Sequence, residues 1–336
     1  MTTDAAAGQA PAPFRLQGIE AARFALCYAV ILLHITDPPT LPWQRLTVAA
    51  CNAAVPFFFI TSGYFNRIEP GSSLGAVVKP AWRLCVIYAV WLMIYYGFIA
   101  VESGARPSIH ARDLIDGGRA YHLWFLPALA FATMLVGLGF RQGLPRVTIA
   151  VCVALALLGV APRLFEHAVP PFPGTRALAA PLYVVGGKLL SRRPFAPRPL
   201  AALSAAVLFW LLSFADGGGL VRLAGRAVTV HSAPLMTVGL GFAVFVLARS
   251  LSDGRAVRTL ASLGGVSLGI YSVHLLILAL VMPHASATSA PAVFVRAALV
   301  LALSTLLAAA IASLPFCWRL ASHRRQSLSL ITGTKT

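Results

Sequence analysis

Charge is what this sequence has least of. Only 11% of its 336 residues are charged, and acids are rarer than bases: 10 Asp and Glu against 27 Lys and Arg. A soluble domain carries about 25% charged residues, so this chain is not built to be solvated by water over its whole surface. Cysteine is also sparse. Cys27, Cys51, Cys85, Cys152 and Cys317 show no metal-ligand spacing, and most lie in apolar runs. They read as small membrane-core side chains, which excludes a disulfide framework. There is no His-Glu-x-x-His, no phosphate-cradling glycine loop and no Ser-His-Asp order, so no metal site is expected. The net charge of +17 does not point to nucleic acid. The bases are scattered between apolar runs, as topology signals and as attraction to anionic lipid headgroups.

What the chain has in quantity is apolar sequence: 58% hydrophobic residues, with mean hydropathy +0.80. Runs near the length that crosses a bilayer fall at about 18–35, 46–65, 82–101, 121–140, 146–162, 177–190, 199–215, 231–249, 264–283 and 291–314. The expectation is an all-α polytopic membrane helix bundle of about ten transmembrane helices over residues 16–318. It is flanked by a disordered tail over 1–15 and a basic tail over 319–336. The first apolar run is too long for a signal-peptide core and is expected to be retained. No internal repeat or additional soluble domain is visible within these residues. Placing both termini in the cytoplasm puts about twice as many basic loop residues inside as outside, among them Arg67, Lys79, Arg83, Lys188 and Arg192.

The first span carries Arg23 and His34 eleven positions apart. Eleven steps of about 100° come within about 20° of three whole turns, so both side chains share one face, roughly 16 Å apart along the axis. An arginine at membrane depth costs on the order of 3 kcal/mol, so the pair should face protein or a water-filled cavity. Glu20, three residues before Arg23, can pair with it and lower that cost.

Four further motifs follow in order. Val55-Pro-Phe-Phe-Phe-Ile-Thr-Ser-Gly-Tyr-Phe65 ends the second span, where Ser62 and Gly63 leave room for a backbone or ligand to approach. Lys79-Pro-Ala-Trp-Arg83 opens the third span. Tyr121-His-Leu-Trp-Phe-Leu126 opens the fourth, with His122 and Trp124. In the ninth, Ser267, Tyr271 and His274 stand at i, i+4 and i+7 on one face.

Together, Glu20-x-x-Arg23, Arg-x10-His, Phe-Phe-x-x-Ser-Gly-Tyr, His-Leu-Trp-Phe and Ser-x-Gly-x-Tyr-x-x-His resemble the membrane acyltransferase-3 family. The resemblance covers spans one to four and nine; Glu20 stands where aspartate is common, and Thr61 departs from the pattern before Ser-Gly. It implies a multi-pass O-acyltransferase of the bacterial inner (plasma) membrane. Such an enzyme moves an acyl group, acetyl first and succinyl as the alternative, from acyl-CoA to a sugar or glycan hydroxyl. His34 is then the catalytic base, and Arg23, Ser62, Gly63 and Arg83 bind acyl-CoA, with basic groups suited to phosphates. Glu20, His122, Trp124, Ser267, Tyr271 and His274 serve the acceptor or support the site. The rival from another class is a permease that uses the same polar stripe as a substrate or proton path. The acceptor's identity and the oligomeric state are not written in the sequence.

Overall fold

The computed structural model describes residues 16–36, 39, 41–104, 108–111, 113–164, 175–192, 198–217, 234–251, 254–281 and 289–314. The tails expected over 1–15 and 319–336 lie outside them, as do Cys317, His167, His231, His284 and His323. Every regular element among the described residues is helical. In chain order these are α1 (Gln17–Thr36), α2 (Pro42–Cys51), α3 (Ala54–Tyr64), α4 (Leu74–Ser103), the single turn α5 (Asp113–Asp116), a 3-10 helix (Gly118–Trp124) and α6 (Phe125–Arg141). Then come α7 (Pro145–Leu164), a second 3-10 helix (Thr175–Ala179), α8 (Ala180–Ser191), α9 (Pro199–Gly217), α10 (Pro234–Ser250), α11 (Arg255–Gly264), α12 (Ser267–Val281) and α13 (Ala290–Ser313). Helices are what apolar sequence must form if it is to satisfy its own backbone groups in lipid.

Each predicted span falls on a helix, but not all of them are long. Five segments are long and apolar enough to cross a membrane: Gln17–Thr36, Pro42–Tyr64, Leu74–Ser103, Asp113–Arg141 and Ala290–Ser313. The pair α11–α12 makes a sixth if counted as one bent span. Pro145–Val160, Ala177–Ser191, Pro199–Ala215 and Met236–Ser250 are apolar but only 10–17 residues long. At 1.5 Å per residue these helices reach roughly 22–26 Å, short of the ~30 Å hydrocarbon core.

Two spans read as continuous are interrupted, those over 46–65 and 121–140, and the one read from 264 begins at a bend, each for a local reason. Pro56 sits at the third position of α3, where its ring clashes with the carbonyl four residues earlier, and the helix breaks at Asn52–Ala53. Pro127 holds the same position in α6 and is preceded by the 3-10 segment that carries His122. Between α11 and α12 the chain turns by 72° just after Gly264-Gly265.

The helices run back and forth, which gives the bundle two ends. At one, Gly18 of α1 meets the Ala248 backbone of α10, Arg141 Nε donates to the Ser72 carbonyl at 2.8 Å, and Lys188 Nζ reaches the Asn66 carbonyl at 2.7 Å. The other end holds His34, the 3-10 helix and the middle of α12. The core between them is aromatic and aliphatic, with Phe57, Phe59, Ile60, Leu123, Phe125, Val184 and Phe245 buried. Glycines set the closest crossing. A Cβ on Gly63 would lie 1.9 Å from the Val184 carbonyl oxygen, and one on Gly187 would lie 2.0 Å from that of Ile60. Helices α3 and α8 thus pack backbone to backbone, as small residues permit in membranes.

Candidate active site

Three histidines that lie far apart in the sequence meet near the second end. His34 comes from the last turn of α1, His122 from the 3-10 helix before α6, and His274 from α12. Their ring centroids are 5.2 Å apart for His34–His274, 5.2 Å for His122–His274 and 6.4 Å for His34–His122. His34 is half-buried, whereas His122 and His274 are only 2% and 1% exposed. Among the described residues, no group of three His, Cys, Asp or Glu has the arrangement of metal ligands.

The local fold explains why these rings are held so firmly. Gly117 and Gly118, at φ +85° and +51°, turn the chain into the 3-10 helix in a conformation that favours glycine. A side chain on Gly118 would also strike Tyr96 and Asp113. Asp113 is fixed from three directions: Tyr96 Oη donates to its carboxylate at 2.8 Å, the His110 N–H donates there at 3.0 Å, and Tyr88 Oη donates to its carbonyl at 2.8 Å. Tyr271 Oη donates to the His122 carbonyl, which ties α12 to the 3-10 helix. Tyr95 on α4 packs against the His122 ring, 4.8 Å between centroids. Its hydroxyl donates to the Ser272 carbonyl and accepts from the Leu276 N–H, both at 3.0 Å.

Each ring has its own hydrogen-bonding state. His34 Nδ1 lies 3.2 Å from Tyr121 Oη. His274 Nδ1 lies 2.6 Å from the Tyr271 carbonyl oxygen; a carbonyl only accepts, so this nitrogen carries the proton. His274 Nε2 and both nitrogens of His122 are buried and have no hydrogen-bond partner among the described residues. The Ser272 carbonyl accepts from Tyr95 Oη and, having a second lone pair, also faces the His122 ring.

At the first end, Arg23 Nη1 lies 3.1 Å from both carboxylate oxygens of Glu20, with the two side chains 26% and 18% exposed. Gly264 at the α11–α12 bend packs directly on Glu20. Ser267, three residues further, is buried with an unmet hydroxyl, and its carbonyl faces Cys27 Sγ at 3.7 Å. Arg83 is half-buried on α4, with no hydrogen bond or ion pair to Arg23 or Glu20. Ser62 is half-buried beside Gly63, whose open face is filled by α8. Trp124 turns away from the histidines and packs on Phe59, 6.3 Å between centroids.

The structure therefore joins His34, His122, Tyr271 and His274 in one cluster and sets Glu20, Arg23 and Ser267 apart from it. Sequence reasoning missed Tyr95 and Tyr121. The signal for Tyr95 was a hydroxyl pair, Tyr95-Tyr96, inside an apolar run; Tyr121 stood beside His122 in the motif.

Comparison with known proteins bears on residues 16–320, which match the acyltransferase-3 family, described as an acyltransferase domain. Two amino-acid racemases of Enterococcus faecalis are also similar. One is 27% identical over 163 residues, 44% of this chain and 22% of the racemase. The other is 29% identical over 122 residues, 33% of this chain and 17% of the racemase. The chain thus spans about a fifth of the length of the curated relatives it matches. No solved structure matches.

Proposed function

The chain belongs to the acyltransferase-3 family, and we propose that it is a membrane O-acyltransferase that carries an acyl group, acetyl first, from acyl-CoA to a hydroxyl of a sugar or glycan. The observation that supports this reading most is the face of α1. It sets an ion-paired arginine at one end of the bundle and, roughly 16 Å away along the helix, a half-buried histidine at a cluster of imidazoles. In the reaction the acceptor oxygen attacks the thioester carbon, a C–O bond forms and the C–S bond breaks. His34 takes the hydroxyl proton and returns it to the departing CoA thiolate, so no net proton is consumed. Holding both substrates in one bundle supplies the entropic part of the rate. Arg23, Ser62, Gly63 and Arg83 serve the donor, with Glu20 orienting Arg23; Ser267, Tyr271 and Trp124 support the framework. The racemases' activity stays with those proteins, since about four-fifths of their length lies outside the match.

The experiment is acceptor-dependent release of CoA from acetyl-CoA by the purified protein. Transport of a sugar without CoA turnover would favour the permease instead. Within that assay, Arg23→Ala should raise the KM for acetyl-CoA by about tenfold or more, because it removes a cation and leaves Glu20 unpaired at depth. Arg23→Lys should restore only part, since it lacks the planar fork. An unchanged KM in folded Arg23→Ala protein would remove Arg23 from the donor site.

The same reading takes the bundle as ten crossings in the bacterial inner membrane with both termini in the cytoplasm, from the distribution of basic residues. Reporter fusions at Arg198 and Ser289 should then score cytoplasmic and periplasmic respectively. The reverse pattern would turn the donor end outward and defeat the assignment.

A further inference from the structure

Among the described helices longer than one turn, α11 separates its polar from its apolar residues most sharply, and the reaction scheme makes no use of it. At about 100° per residue, Arg255, Arg258, Thr259 and Ser262 fall within about 100° of arc. All four are exposed. Two apolar sectors fill the rest of the circumference. In one, Gly264 is buried against Glu20, with the half-buried Val257 and Ala261 on the same side. In the other, Ala256 and Leu260 stay exposed, Leu260 by 38%.

The polar sector is not used by the rest of the bundle. Thr259 and Ser262 donate to carbonyls of their own helix, those of Arg255 at 3.1 Å and Thr259 at 2.7 Å. Neither Arg255 nor Arg258 makes an ion pair among the described residues. The helix also lies at a telling depth. With α12 as a crossing helix, the 72° bend between the two lays α11 close to the membrane plane, level with the first turn of α1. A helix in that plane, with arginines on one edge and an exposed leucine on another, is suited to the boundary between headgroups and acyl chains.

We propose that α11 is a seat for anionic phospholipid. Arg255 and Arg258 take the headgroup phosphates, Ala256 and Leu260 enter the acyl boundary, and the seated helix holds the Glu20–Arg23 pair in position. Charge complementarity selects the lipid. A zwitterionic surface has no net counter-charge for two guanidinium groups, whereas an anionic one does, and the planar fork of arginine matches phosphate oxygens. The coupling comes through Gly264. A Cβ there would lie 2.4 Å from the Glu20 carbonyl oxygen and 2.8 Å from Glu20 Oε2. With so little slack, a shift of α11 towards α1 displaces the residue that pairs with Arg23, and a shift away uncovers it. This last link rests on the reading of Arg23 as a donor-site residue; the lipid seat does not.

The test compares the full-length protein in nanodiscs of phosphatidylcholine alone and in discs with about one-third phosphatidylglycerol of the same acyl chains. Hydrogen exchange of the backbone amides over 255–263 reads local opening of α11. It should slow by about tenfold or more in the anionic discs, and about 1 M salt should remove most of that gain. The double variant Arg255→Gln, Arg258→Gln keeps exposed side chains that suit a helix. It should melt with the wild type in phosphatidylcholine and lose the lipid-dependent slowing. In the anionic discs its KM for acetyl-CoA should exceed the wild-type value by about threefold or more. In phosphatidylcholine the two KM values should be equal.

Equal exchange in the two discs, or a slowing that survives in the double variant, would overturn the lipid seat. So would the same slowing in phosphatidylcholine discs on adding soluble glycerol phosphate, which would mark a site for free phosphate. A raised KM for the double variant in phosphatidylcholine would show the arginines meeting acetyl-CoA itself, and would overturn the assignment too. Lipid-dependent slowing without a difference in KM would defeat the coupling to Arg23 and leave the seat. If no preparation turns over acetyl-CoA, the transferase reading fails, while the exchange rates still decide the seat.

Discussion

His34→Ala should lower acceptor-dependent CoA release by about 10²–10⁴-fold, the usual loss on removing a general base, while the bundle stays assembled. The geometry allows both halves of that expectation. His34 is half-buried in the last turn of α1, so truncating it removes less packing than at His122 or His274. Its Nδ1 lies 3.2 Å from Tyr121 Oη. For Nε2 to take a proton, Nδ1 must carry the ring hydrogen and donate it to that phenol oxygen. His34→Gln therefore carries the sharper information. Its amide can hydrogen-bond from a similar position but takes no proton at neutral pH, so turnover should be as low as in His34→Ala. A structural histidine would behave in the opposite way, tolerating Gln and losing stability with Ala. The measurement is CoA release beside thermal stability in detergent for the wild type and both variants. Near-normal turnover in a stable His34→Gln protein would remove His34 as the base and leave His274 and His122 to be tried.

How far this site was legible in the sequence depends on whether the signal was local. Helical spacing alone put Arg23 and His34 on one face, and Glu20 within reach of Arg23; the ion pair at 3.1 Å has the geometry that spacing allows. The same spacing grouped Ser267, Tyr271 and His274. A shared face does not fix shared neighbours, however. Tyr271 and His274 meet His122, while Ser267 lies next to Cys27, towards the other end. The cluster itself was out of reach, because α1, the 3-10 helix and α12 are brought together by tertiary packing that no single motif encodes. The interruptions at Pro56 and Pro127 were visible as residues, but a hydropathy window averages over them; the Gly264-Gly265 bend falls where the ninth span was read to begin. Trp124 was grouped with His122 as serving the acceptor or supporting the site; two residues apart on a tight helix, the two side chains diverge, and Trp124 packs on Phe59. Lys188 was counted as a loop charge near the end of a span, yet it is 2% exposed inside α8.

That buried lysine carries the second large effect. Lys188 Nζ donates to the Asn66 carbonyl at 2.7 Å and to Glu69 Oε1 at 2.8 Å, and Arg192 meets the other Glu69 oxygen. Both cations also lie over the Phe140 ring. The arrangement fastens the loop after α3, and with it the Ser62-Gly63 end, onto α8. It is also asymmetric, since Lys188 is buried and Glu69 is 53% exposed. Glu69→Ala strands an ammonium that water cannot reach, and removing one partner of a buried pair costs about 3–5 kcal/mol. Partial solvation of Glu69 puts the expected loss near the lower end, about 3 kcal/mol. Lys188→Met removes the buried charge itself, keeps most of the stem against Phe140 and leaves Glu69 with Arg192 and solvent. It should cost only about 1 kcal/mol. The double variant should resemble Lys188→Met rather than the sum of the two. Acid gives an independent check. The Lys188 hydrogen bond, ahead of the other influences, holds the Glu69 carboxyl below the ordinary carboxylate range. A group whose folded-state pKa is depressed contributes its stability above the unfolded value and loses it as pH falls through the folded one. The melting-temperature difference between wild type and Glu69→Gln should therefore be full at pH 7 and shrink once the pH drops below the usual carboxylate range. Equal losses for Glu69→Ala and Lys188→Met, or a difference indifferent to acid, would show that the loop is held by packing and not by this pair.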